Sequence, residues 1–403
     1  MLPVQRPLRA YPDKPCRFAA SADVESFVYE VSFMHPLQRA RLRELGITVG
    51  TLTCGPLNAI TDVAGVGIGH VTLIEDSPHV VRSGVTAIVP QLGGLWQQGV
   101  FAGFDRYNGF GEVTGTHWIA EAGLLSSPIV LTSAFSIGVA RDTLLALPFV
   151  HGVPERWHQP CAAETYDGVL NDGLAAPVKR EHVEAAIAAA VSGPVAEGAV
   201  GGGTGMMSFE FKAGIGTSSR QVRCADQDYT VGVLVQSNFG NRRHLTVDGV
   251  PVGRHLGYDV ADSPQRRDAA TGEAEETKGS IVIVVATDAP LLPPQLNRLA
   301  RRANSGLARV GGFGNNRSGD FALAFSTANS LPFQQTGIVH GLSMLAGEDM
   351  NPLLPAAAEA TEEAIVNSLT MAATMTGVRG TTVHELPLEA LLEVMRRHGR
   401  GPA

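Results

Sequence analysis

A hydroxyl-bearing residue becomes a self-sufficient nucleophile when its own α-amine is free, because the amine can take the hydroxyl proton. Such an amine titrates near ~8, close to working pH, which suits a general base. The stretch ETKGSIVIVVATDAP, residues 276–290, offers a place for that chemistry. Ser280 is the first residue of an apolar, β-branched run and directly follows Gly279. Freeing its amine requires a break in the chain just before it. Gly279 presents an unhindered carbonyl and permissive backbone angles to the Ser280 hydroxyl. Read alone, Gly-Ser ahead of a strand is also what an ordinary turn looks like.

Other chemistry-bearing patterns fail their context. The glycines of GVGIGH (65–70) lack dinucleotide-binding spacing and a following helix, and GAVGGGTGM (198–206) has no Lys after it. Neither a G-x-S-x-G elbow nor an H-E-x-x-H zinc pair is present. Cys16, Cys54, Cys161 and Cys224 lie far apart with no C-x-x-C pair, so buried free thiols are expected rather than zinc or a disulfide framework. Asn316-Arg317-Ser318 fits a glycosylation sequon but stands without a signal peptide, and is read as accidental. A net charge of −8 with only 17% charged residues argues against a nucleic-acid partner. No apolar stretch reaches the length of a membrane span, and the N-terminus lacks the apolar core of a secretory signal, so a cytoplasmic location is expected.

The elements that must carry Ser280 follow from periodicity. Strands are expected at 59–75, 83–91, 127–135, 229–239, 280–290 and 320–329, all rich in Val, Ile, Leu or Phe. Helices are expected around 35–47, at 181–193, at 293–310 with Leu296, Leu299, Ala300, Ala303 and Leu307 on one face, at 355–377 and at 387–399. Strands early and late, with helices between and after them, point to an α+β layered sandwich rather than alternating βαβ units. Residues 1–33 are expected to be a disordered extension, and 34–403 a single catalytic domain. The polar run 254–279 reads as a long loop that ends at Gly279-Ser280.

GPLNAITDVAGVGIGHVTLI (55–74), SGVTAIVPQ (83–91), EGAVGGGTGM (197–206), FKAGIGTSSR (211–220), VGVLVQSNFGNRRHLTVDGVPVG (231–253) and residues 278–329 follow one another in a characteristic order. Over about residues 34–400 the chain resembles the DmpA-type self-processing aminopeptidases, which comprise the L-aminopeptidase/D-Ala-esterase/amidase enzymes and the β-peptidyl aminopeptidases. The resemblance implies an αββα sandwich similar to N-terminal nucleophile hydrolases but differently connected. It implies self-cleavage into an α chain ending at Gly279 and a β chain beginning with the nucleophile Ser280. Assembly into a homo-oligomer of αβ units, a tetramer, follows from the same likeness, with no metal or cofactor and a small peptide or amino-acid amide as substrate.

Further site residues come with the resemblance. Ser318 and Asp320, in NNRSGDFALAF, match the second serine and the acidic position, which is often Glu in the family. Two residues apart at a strand entrance, they would point to one side, where a carboxylate could hold the Ser280 ammonium or orient Ser318. Without the resemblance they read as a turn and a strand cap. Asn238 matches an oxyanion-hole Asn, and Glu164, in ETYDGVLND, is the candidate for holding the substrate ammonium. Tyr166, Val169 and Phe239 stand where the family often has Asn, Tyr and Tyr, so the pocket departs from the common pattern. Two alternatives stay open at this point: an ornithine-acetyltransferase-like acyltransferase, against which the serine at 280 argues, and an unprocessed binding protein.

Overall fold

Side-chain alternation along the strands sorts the chain into four layers. The computed structural model describes residues 37–94, 96–151, 158–265, 279–333 and 339–401. The extension expected at 1–33 therefore lies outside the described residues, as does most of the loop leading into Gly279.

In chain order the strands begin with β1 (Gly67–Glu75), β2 (Val81–Val89), β3 (Gln98–Gly109), β4 (Leu124–Leu125), β5 (Ile129–Ser133) and β6 (Cys161–Thr165). They continue with β7 (Met207–Ser208), β8 (Phe211–Lys212), β9 (Ile215–Cys224), β10 (Gln227–Asn238), β11 (Gly279–Thr287) and β12 (Ser318–Pro332). The helices are α1 (Thr116–Ala122), α2 (Ile137–Val150), α3 (Arg180–Ala188), α4 (Pro293–Arg309), α5 (Leu353–Thr370) and α6 (Leu388–Arg397). One sheet runs β1-β2-β5-β6 and the other β4-β3-β12-β11-β10-β9.

On β11, Val282, Val284 and Ala286 join Leu131, Ala163 and Ile88 in the core between the two sheets. The alternate residues Ile281, Ile283 and Val285 pack with Leu296, Leu299 and Leu307 of α4 and with α5. Val85, Ala87 and Val130 on the far face of the smaller sheet meet Ala140, Leu144, Val183 and Ala186 of α2 and α3. The order is helices, sheet, sheet, helices, as the α+β reading requires. Each sheet also holds one parallel crossover, β5-α2-β6 and β11-α4-β12. That is more βαβ character than the pattern of strands and helices suggested.

Boundaries moved where local chemistry intervened. The strand expected from residue 59 starts only at Gly67, after a 3-10 turn at Ile60–Asp62. The helix expected around 35–47 is a turn instead, with Leu42, Leu45 and Ile47 buried. Its arginines satisfy carbonyls elsewhere: Arg41 donates to the Leu57, Asn58 and Thr217 oxygens, and Arg39 to those of Leu369 and Leu386. Those distant partners fix the backbone more strongly than helix propensity does. Strands β3, β6 and β9 and helices α1 and α2 lie in stretches whose periodicity was too weak to place them. Cys54, Cys161 and Cys224 are free thiols, the latter two buried. Among the described residues no helix is long and apolar enough to cross a membrane.

Helix α5 is buried almost throughout, yet carries Glu359, Glu362 and Glu363. The fully buried Arg220 on β9 pairs with Glu363 at 2.7 Å and Glu359 at 3.3 Å, and Arg43 reaches Glu363 at 2.9 Å. Asn58 donates to the same Glu363 carboxylate. This cluster ties the sheet edge, α5 and the segment after residue 37 together. Removing one member leaves the others charged and buried, a large penalty even where the intact pair adds little. Glu363→Ala is expected to lower unfolding stability by about 3–5 kcal/mol, read from the urea midpoint.

Candidate active site

Ser280 sits at the entrance of β11, between β10 and β12 in the middle of the larger sheet. Asn238 lies opposite Ser280 in the antiparallel pairing with β10. On the other side the parallel register sets Gly279 beside Ser318 and Ser280 beside Gly319. The Ser280 hydroxyl is almost completely buried and donates to its own preceding carbonyl, Gly279 O, at 2.6 Å. The Gly319 N–H donates to Ser280 Oγ at 3.3 Å. With the 279–280 bond in place, the hydroxyl thus rests on the very carbonyl it would attack.

Glycine at 279 has a steric cause. A Cβ there would lie 2.9 Å from Phe239 Cα, just inside the closest approach of real contacts, and 3.1 Å from Asn238 O, a tight one. The end of β10 therefore presses on the peptide ahead of Ser280, and a side chain at 279 would require that strand end to shift.

Parity divides four of the five candidate side chains between the two faces of the larger sheet. Ser280 and Asn238 share the face of Val282 and Leu234, between the sheets. Ser318 and Asp320 share that of Ala322 and Ala324, toward α4. The expected pairing of Ser318 with Asp320 is present: Ser318 Oγ donates to Asp320 Oδ1 at 2.6 Å. They line a small recess with Phe239, Leu307 and Gly279. From that side the pair stands across the sheet from the Ser280 hydroxyl, and Asp320 accepts from the Ile281 N–H. Burial raises the Asp320 carboxyl to about 6, partly offset by bonds from the Ser318 hydroxyl and the Ile281 N–H.

The opposite face opens into a cleft of about 640 Å³ lined by Ser280, Gly279, Phe110, Ile137, Glu164 and Tyr166. Glu164 is the penultimate residue of β6 and is 7% exposed. Burial pushes its carboxyl up to about 7, although the Glu112 N–H donates to it at 3.0 Å. The charges of Glu112 and Asp167 add to the rise. A cation entering the cleft would supply the missing partner.

Three supports escaped sequence reasoning. Asp167 accepts from Ser83 at 2.8 Å, Ser133 at 2.7 Å and Asn171 at 3.1 Å, all in the interior, and so pins the loop after β6. That loop presents the Tyr166 carbonyl, to which Asn238 Nδ2 donates at 2.9 Å. The Met207 N–H donates to Asn238 Oδ1, also at 2.9 Å, so both ends of the amide are held and one Nδ2 proton is left over. Third, the two-residue turn between β7 and β8 has Phe209 and Glu210 at φ +49° and +64°, left-handed values that favour Gly or Asn. The Glu210 carboxylate accepts from the Arg242 N–H and Tyr258 hydroxyl, and Phe209 packs edge-on against Phe239, which holds the strained turn in place. The second acid in ETYDGVLND was the only visible signal for any of them. At the departures from the common pattern, Tyr166 is 40% exposed and packs against Phe135, while Phe239 is buried.

The profile of peptidase family S58 matches residues 58–383, a span containing every side chain of the candidate site. The chain belongs to peptidase family S58. Its relatives include a beta-peptidyl aminopeptidase, BapA, of Sphingosinicella microcystinivorans, 44% identical over 371 residues, covering 89% of this chain and 93% of that protein. The solved Burkholderia sp. beta-aminopeptidase is 44% identical with a TM-score of 0.82, covering 90% of this chain and all of that one. The L-aminopeptidase D-Ala-esterase/amidase of Ochrobactrum anthropi is 41% identical with a TM-score of 0.82, over 90% of this chain and 99% of that one. That enzyme is described as a prototype serine aminopeptidase with a variant of the Ntn hydrolase fold. The S58 chain is a self-processing aminopeptidase with this fold, and neither the acetyltransferase nor the binding-protein alternative is favoured.

The Asp167 hub makes its own test. Asp167→Ala leaves interior hydroxyl and amide donors without their acceptor, each worth ~1–3 kcal/mol. The expected outcome is a stability loss of about 2–3 kcal/mol by chemical denaturation. A change within 0.5 kcal/mol would mean that the loop is held by other contacts.

Proposed function

We propose that this S58 chain cuts itself between Gly279 and Ser280 and then uses Ser280 to release the N-terminal residue of small peptides, amides or esters. The observation that carries the reading is the contact of Ser280 Oγ with the Gly279 carbonyl, with Asn238 opposite in the sheet. In the first stage Oγ attacks the Gly279 carbonyl carbon, and the C–N bond breaks as the nitrogen takes the hydroxyl proton. The resulting ester is hydrolysed by water, giving an α chain that ends in the Gly279 carboxylate and a β chain, 280–403, that begins with the Ser280 amine.

In the second stage that amine accepts the Oγ proton. Asp320 then steadies the amine in its charged form, a role supported by its hydrogen bond to Ser318 beside the start of β11. Glu164 takes the substrate ammonium, and Ser280 attacks the carbonyl beyond it. The spare Asn238 N–H receives the developing oxyanion. The leaving amine takes the proton, and water then releases the acyl group. The relatives' names cover β-peptidyl, L-amino-acid and D-Ala substrates. Substrates with a small N-terminal residue of any of these kinds fit this cleft, whose rim Tyr166 reshapes. Assembly into a tetramer of αβ units completes the proposal, checked by light scattering.

Ser280→Ala is expected to leave a single full-length band on a denaturing gel, where the wild type gives two, and to abolish hydrolysis of amino-acid p-nitroanilides. A two-band pattern in that variant would overturn the cut-site assignment. The Glu164 carboxyl, near 7 in the empty cleft, is neutral below that pH and ionised above it. KM should therefore rise as pH falls through about 7. Glu164→Gln should flatten that limb and raise KM at pH 8 by ~30-fold or more, the loss expected when one partner of a buried charge pair is removed.

A further inference from the structure

We propose that Lys212 is a positioning residue for the oxyanion donor, acting on Asn238 through the single peptide group that joins Met206 to Met207. The inference rests on the reading of Asn238 given above and names what prepares that amide. Lys212 is fully buried on β8. Its ammonium donates to the Met206 carbonyl at 2.8 Å and to the Ala213 carbonyl at 2.6 Å. The Met206 carbonyl and the Met207 N–H are opposite ends of one peptide unit. That N–H donates to Asn238 Oδ1. A charge at the carbonyl end therefore draws electrons along the unit and strengthens the N–H at the other end. The Asn238 amide is polarised in turn, and its Nδ2 protons become better donors. In the low dielectric of the interior such chains reinforce themselves.

The architecture already closes this hairpin without the Lys212 side chain. Met207 pairs with Lys212 and Ser208 with Phe211, the Ala213 N–H donates to the Met206 oxygen, and the Lys212 N–H donates to His384 O. Burial pulls the ammonium down to about 7, an unfavourable placement that a methionine of similar length would avoid. The chain accepts that cost at the one carbonyl whose partner N–H grips Asn238. The same hairpin clamps the neighbouring residues of β10: Ser208 bonds Ser237 and the Phe239 N–H, and the Phe209 N–H donates to Phe239 O. Register is thus set by those bonds, and what Lys212 adds is charge.

The test is a double-mutant cycle in the full chain, with turnover of an amino-acid p-nitroanilide counted per cleaved subunit. Lys212→Met is expected to lower kcat tenfold or more with KM within twofold. In an Asn238→Ala background the same substitution should change kcat by less than twofold, because the group it acts through is gone. Equal losses in both backgrounds, or an unchanged kcat in Lys212→Met alone, would overturn the relay while leaving the role of Asn238 intact. If Asn238→Ala leaves kcat at the wild-type level, the oxyanion assignment fails and the relay falls with it. Lys212→Gln keeps a neutral donor and guards against loss of folding in the methionine variant. It should show the same kcat-specific, Asn238-dependent loss at smaller size, and an Asn238-independent loss would equally overturn the proposal.

Discussion

The register of β11 between β10 and β12 is the constraint on which the rest of the site depends. Ser280 is the first residue after Gly279 in a strand paired on both sides, antiparallel to Asn238 and parallel to Gly319. Backbone pairing fixes the strand to within one residue, and a slip of one would turn every side chain of β11 to the opposite face. Valines on one face and isoleucines on the other are buried in different cores, so such a slip is strongly disfavoured. Ser280 inherits its position from the hydrophobic fit of the six residues that follow it.

That register splits the chemistry across the sheet. The hydroxyl looks into the cleft with Glu164, and the Asn238 amide lies on the same face of the sheet, while Ser318 and Asp320 stand behind it. The nitrogen of Ser280 lies in the sheet plane between them. The peptide group between Gly279 and Ser280 thus has different side chains on its two sides, and the two sets never compete for the same space. Gly279 borders both sides, and Phe239 approaches it closely.

Burial shapes the ionisable groups differently according to what they receive. Burial raises the Asp167 carboxyl too, but three interior donors oppose the rise and make it a structural anchor. Glu164 has one backbone donor and is pushed up to about 7, which leaves it short of a positive partner in a cleft that opens to substrate. Arg220 and its two glutamates are paired within the interior and tie sheet to helix. The same residue types thus do structural or chemical work depending on how completely the fold satisfies them.

Much of the framework was legible in the sequence. The β-branched run after Ser280, the stripe of leucines and alanines on α4 and the ordered motifs from 55 to 329 determined the layered fold and the family and nominated the candidate site residues, because local periodicity and local motif chemistry are properties of contiguous residues. Weakly periodic elements such as β3 and β9 were not legible, nor was the turn at 42–46, whose arginines answer carbonyls far away in the chain. Only the tertiary structure decided which face each candidate residue occupies, that Asp167 and the β7–β8 hairpin hold Asn238, and that Gly279 lies close against the backbone of β10. Those outcomes depend on pairing register and on contacts between segments tens of residues apart, and no single stretch of sequence records either.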